Sequence, residues 1–92
     1  MIQLTPTARF SKRLKALSKQ QQRQVATALN RFLHNPQYPS LNFEKLSTGQ
    51  HADYYTIRAS LSCRIVLCVR GEDHYEVVDV GDHDVYRRLM RR

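Results

Sequence analysis

Apolar positions along this chain recur in two rhythms, and the change from one to the other divides it. Phe10, Leu14 and Leu17 fall at i, i+4 and i+7, and Val25, Ala28, Leu29, Phe32 and Leu33 at i, i+3, i+4, i+7 and i+8. Each set is one stripe of an amphipathic helix. Thr5 before Pro6 predicts an N-cap followed by a proline in the first turn. Asn35-Pro36 predicts the stop of the second helix, because a proline disfavours helical backbone in the residue before it. The short connection around Ser18 to Gln22 makes the two helices an antiparallel hairpin.

Beyond Ser40 the period becomes two. Leu41 to Leu46 reads as a strand, and Ser47 to Ala52 as a polar turn around Gly49. Tyr54 to Ala59, Cys63 to Arg70 and Tyr75 to Val80 read as an antiparallel meander, turning at Ser60-Leu61-Ser62 and at Gly71-Glu72-Asp73. Ile2 to Leu4 adds a short edge strand, and Asp82 is the expected N-cap of a closing helix. The order β-α-α-β-β-β-β-α predicts one α+β domain over residues 1–92. Its antiparallel sheet has about four to five strands, with the N-terminal helical hairpin packed on one side and a short C-terminal helix. The outer face of the sheet is expected to stand free for binding.

Charge narrows the function. Fifteen Lys and Arg against eight Asp and Glu give a formal +7, enough for several kT of positive potential over so small a surface. RNA, DNA or an acidic protein are the usual partners of such a surface. Arg9, Lys12, Arg13, Lys15 and Lys19 lie opposite the apolar stripe of the first helix. Cys63 and Cys68, five apart in one strand, point to opposite faces about 17 Å apart along the chain, too far for a disulfide. Both read as buried thiols in a reducing compartment. The first residues lack the charged and apolar regions of a signal peptide, and no apolar run approaches the ~18 residues of a membrane span. The expected location is cytoplasmic.

Two constellations could carry chemistry. If the turn at Ser60-Leu61-Ser62 is centred on Leu61, Arg58 and Arg64 are cross-strand neighbours, and two facing guanidiniums suit an anion. At the start of the closing helix, His83 and Tyr86 are three apart and Arg87 is four on from His83, so the three share a face. Histidine changes charge near neutral pH, as proton transfer requires, and tyrosine can stack on a base. His34, His51 and His74 stand at predicted loops or element ends without ligands at metal-binding spacing. No Gly-rich phosphate loop or Ser or Cys nucleophile motif is present, so no cofactor is expected.

These segments together resemble the RelE/ParE toxins of bacterial type II toxin–antitoxin systems. The basic helical hairpin and Pro39-Ser40-Leu41-Asn42-Phe43-Glu44-Lys45-Leu46 are similar to that family's helices and its following "P-S-x-x-x-x-x-L" passage. Tyr55-Thr56-Ile57-Arg58 with Cys63-Arg64-Ile65-Val66-Leu67 resembles its central hairpin, and Val80-Gly81-Asp82-His83-Asp84-Val85-Tyr86-Arg87 its closing motif. The resemblance implies a toxin that enters the ribosomal A site and cuts messenger RNA without a metal. By that resemblance Arg64, His83 and Tyr86 are catalytic, and Lys45, Arg58 and Arg87 bind the RNA. It also implies an acidic antitoxin partner. ParE-like relatives inhibit DNA gyrase on the same fold, and a nucleic-acid-binding module without catalysis is a third reading, so the site has to decide.

Overall fold

The computed structural model describes residues 1–46 and 53–82. Strand β1 (Gln3–Pro6) leads into helix α1 (Ala8–Lys15), and α2 (Lys19–His34) follows. A 3-10 turn, Pro39–Leu41, precedes β2 (Glu44–Lys45), then β3 (Tyr54–Ser60), β4 (Cys63–Gly71) and β5 (His74–Gly81). The five strands form one sheet in the order β1-β5-β4-β3-β2. The meander is antiparallel throughout, while β1 joins β5 in parallel at the far edge. The expected turn at 47–52 and the closing helix fall outside the described residues.

The N-cap of α1 is Thr7, not Thr5. Its hydroxyl accepts from Phe10 N–H at 3.2 Å and donates to Val77 O at 2.9 Å. Pro6 remains in β1, because an edge strand can hold a residue that donates no backbone hydrogen bond. The second helix begins earlier than expected. Ser18 caps it and exchanges hydrogen bonds with Gln21, so Gln20 to Gln22 belong to the helix. Asn35 ends it, as the following proline requires.

The strand expected over Leu41 to Leu46 is reduced to Glu44–Lys45. Pro39 starts the 3-10 turn and Asn42 takes a left-handed φ of 48°, which breaks the extension; Leu41 is thereby turned into the core. The second hairpin also differs from expectation. Gly71 pairs with His74 inside the ladder, and the left-handed residue is Asp73 at φ 59°. Aspartate tolerates that region better than most residues.

Phe10 of α1 and Val25, Ala28 and Phe32 of α2 share one core with Ile57, Cys63, Ile65, Leu67, Val77 and Val80 of the sheet. Helix α1 lies chiefly against β5 and α2 against β3. Phe32 sits at the centre, edge-on to Phe43 and Tyr75 with centroids 5.2 and 5.1 Å away. The odd-numbered residues of β4 up to Leu67 point into this core and the even-numbered ones point away, as the alternation predicts. Cys63 and Cys68 are accordingly free, buried and on opposite faces. The outer face is not bare at its centre: Thr56, Val66 and Cys68 are all about 1% exposed or less. They are short side chains on inner strands, in register between the longer side chains of Tyr54, Arg58, Arg64 and Glu76.

Candidate nucleic-acid interface

Strand register builds the outer face row by row. Arg58 of β3 is opposite Arg64 of β4, and Arg64 is in turn opposite Gly81 of β5. The two arginines are the neighbours that the sequence predicts, and Gly81 brings the start of the closing motif to the same row. Thr56, Val66 and Asp79 form the next row, and Tyr54, Cys68 and Glu76 the one after.

Both arginines are half-buried. Arg64 Nη1 donates to the backbone oxygen of Ser60 at 3.4 Å, which draws its head group to the hairpin end. Arg58 Nε is buried and has no hydrogen-bond partner among the described residues. A buried donor without a partner costs free energy of about 1–3 kcal/mol, more when charged. The acids of the sheet are engaged elsewhere. Glu76 accepts from Arg70 at 2.8 Å, Asp53 pairs with Lys45 at 3.5 Å, and Asp79 receives Arg9 at 3.3 Å and Arg13 at 3.4 Å. No ion pair among the described residues involves Arg58 or Arg64.

The structure does not bring Lys45 to this row. Lys45 is opposite Tyr55, which packs against the core, whereas Arg58 belongs to the other face of β3. Its neighbour Glu44 is the residue in register with Thr56. His83, Tyr86 and Arg87 lie outside the described residues, as does His51. His34 and His74 are tied down locally, the first to Asn30 O at 2.8 Å and the second to Thr5 Oγ1 at 3.0 Å. Among the described residues no cluster of three or more His, Cys, Asp or Glu is placed to hold a metal ion.

Two features were not read from the sequence. Asp79 is fully buried, with its Oδ1 also accepting the Val80 N–H at 2.8 Å, so it fastens α1 to the end of β5. The i, i+4 spacing of Arg9 and Arg13 was the available signal for a carboxylate partner. The second is a cleft of about 600 Å³ between α2 and the end of β3, lined by Arg23, Arg31 and Arg58. Arg23, Thr27 and Arg31 are spaced by four, one face of α2, and that face escaped notice beside the more basic α1.

No family model matches the chain, and no curated protein matches it by sequence. Solved structures do match. The archaeal RelE–RelB complex from Pyrococcus horikoshii OT3 superposes with a TM-score of 0.70 at 17% identity, covering 88% of this chain and 93% of that one. The RelB–RelE antitoxin–toxin complex from Methanococcus jannaschii gives 0.70 at 20% identity, covering 92% and 96%. The E. coli DinJ–YafQ complex gives 0.70 at 14% identity, covering 92% and 97%. The chain has the fold of these proteins over nearly its whole length.

Proposed function

We propose that this single-domain chain is the toxin of a type II toxin–antitoxin pair, acting in the cytoplasm as a ribosome-dependent endoribonuclease on messenger RNA. The observation that carries the reading is the row Arg58–Arg64–Gly81, which sets two cationic side chains, in no ion pair among the described residues, beside the strand end that leads to His83. The +7 charge and the likeness of fold to toxins solved with RelB and DinJ support it.

RNA carries its own nucleophile, and the chemistry follows from that. The 2′-hydroxyl passes its proton to solvent water as its oxygen attacks the adjacent phosphorus, the bond to the 5′-oxygen breaks, and a 2′,3′-cyclic phosphate forms. Arg64 stabilises the additional charge on the phosphorane, worth about 10²–10³-fold by comparison with other charge-stabilising donors. Arg58 holds the neighbouring phosphate with its guanidinium. His83 gives its proton to the departing 5′-oxygen, worth about 10²–10⁴-fold. Tyr86 stacks on a base at the cut, and Arg87 binds the strand beside it. The antitoxin is an acidic protein that masks the basic surface.

The test is primer extension on a reporter messenger RNA in a translating extract, with the wild-type protein beside His83→Ala. Codon-phased 5′ ends that vanish with the mutant, or when ribosomes are withheld, are the expected result. Intact RNA in the presence of growth-arresting protein would move the target to DNA gyrase, the activity of other members of the same fold.

A further inference from the structure

The end of β5 completes the arginine row, and it is the part of the sheet with least strand support. Strand β1 runs beside β5 only from His74 to Val77. Residues 78–81 therefore have β4 on one side and, among the described residues, no strand on the other. The ladder is also irregular there. Leu67 is opposite Val77 but Val66 is opposite Asp79, so Val78 is an extra residue, a bulge. Continued without the bulge, the same ladder would pair Val66 with Val78, Ile65 with Asp79 and Arg64 with Val80. The bulge moves each pairing by one. Val80 comes opposite Ile65 in the core, and Gly81, which has no side chain, comes beside Arg64.

The start of α1 grips this bulge. Thr7 Oγ1 donates to Val77 O at 2.9 Å and lies 3.3 Å from Val78 O. Arg9 and Arg13 hold the Asp79 carboxylate at 3.3 and 3.4 Å. Its Oδ1 accepts the Val80 N–H at 2.8 Å, a backbone donor beyond the end of β1. A buried ion pair adds little net stability, and its best-attested use is to fix a register. Here the choice is sharp. Without the bulge Asp79 would share the face of Ile65, inside the apolar core, where a charge is far costlier than on the α1 side. We propose that Asp79, with Arg9, Arg13 and Thr7, is a register lock that keeps the bulge at Val78 and so places Gly81, not Val80, beside Arg64. These are positioning residues for the arginine row. A slip by one would set an isopropyl group against the Arg64 guanidinium and draw the strand end back by a residue. Register is read from the strand pairing alone; only the loss of cleavage rests on the nuclease reading.

Asp79→Val tests the lock, because it removes the clamp and makes the two registers alike in the apolar groups they bury. Cross-strand nuclear Overhauser contacts in the labelled full chain read the register. The wild type should show Arg64 against Gly81, and the variant Arg64 against Val80. Single-turnover cleavage of messenger RNA should fall about 10²-fold, as a displacement of about 1 Å at a reacting group does. Deleting Val78 from the Asp79→Val chain should restore both, since a regular ladder then returns Gly81 to Arg64. Val25→Ala, which loosens the core on α2, should keep the wild-type register and the rate of its folded fraction. Wild-type contacts in a folded Asp79→Val chain would overturn the proposal. So would a shifted register with undiminished cleavage, or a shortened chain that does not regain the Gly81 contact. Should Asp79→Val fail to fold, Arg9→Ala, which leaves Asp79 paired with Arg13, carries the test. Exchange of the Val80 N–H should then quicken and cleavage fall, and no change in either would sink the lock. If the wild type cleaves nothing while the contacts shift and return as stated, the lock stands and the nuclease reading falls.

Discussion

Arg58 and Arg64 face each other across β3 and β4 although the turn between them is not the one that first suggests the pairing. Symmetry about Leu61 places them opposite each other through a three-residue turn. The chain instead closes with Ser60 opposite Cys63, a two-residue turn, and a bulge between Arg58 and Ser60 absorbs the difference. The bulge thus sets which residue meets Arg64. Arg64→Ala should cut ribosome-dependent cleavage by about 10²–10³-fold with an unchanged melting temperature, measured by single-turnover primer extension. Arg64→Lys should recover part of that loss, since it keeps the charge and loses the fork.

The core hangs on Phe32, which has no exposed surface and edge contacts to two further rings. Phe32→Ala should lower stability by ~3–5 kcal/mol. In a domain this small that approaches the whole of the folding free energy. Urea denaturation should show a lost or strongly shifted transition; a shift worth under ~1 kcal/mol would contradict the packing described.

Asp79 fastens α1 to the end of β5 through Arg9 and Arg13. Removing a buried carboxylate costs less when its partners can return to water, and both arginines are partly exposed. Asp79→Ala should therefore cost less than the ~3–5 kcal/mol typical when a buried charge is left stranded. Hydrogen exchange should quicken at the end of β5 more than in β3 and β4.

Burial pushes the thiols of Cys63 and Cys68 above their ordinary value of 9.0, with Arg64 and Arg70 respectively opposing the shift. Tyr75 is raised from 10.0 by the same cause. A group raised in the folded state binds its proton more tightly there than in the unfolded chain. Its contribution to stability is complete below the unfolded value and is lost as pH climbs through the folded one. Urea midpoints should fall between pH 8 and 11, and the fall should be shallower in Cys63→Ala with Cys68→Ala. Both thiols should react slowly with Ellman's reagent at pH 8 until the protein unfolds.

What the sequence showed clearly was periodicity. The stripes Val25–Ala28–Phe32 and the alternation along β4 led directly to α2, the meander and the core, because burial repeats with the geometry of the element. It was weakest where a local rule yields to a long-range contact. Thr5 and Thr7 are equally good caps by type, and only Val77, seventy residues away, decides for Thr7. Lys45 lay within a matching motif, but the shortening of its strand by Asn42 and its register with Tyr55 put it away from the arginine row. Asp79 gave no local hint of Arg9 and Arg13 because the contact joins distant parts of the chain.

The parallel union of β1 with β5 has a consequence for when this protein comes into being. The edge strand, the cap of α1 and the buried Asp79 contacts all wait for the last strand to arrive. Contacts of such long sequence separation form slowly and cooperatively. Until β5 has emerged from the synthesising ribosome, Arg64 lacks its Gly81 neighbour and the row is incomplete. The row of the two arginines is thus completed only once the third strand of the meander has folded onto the second.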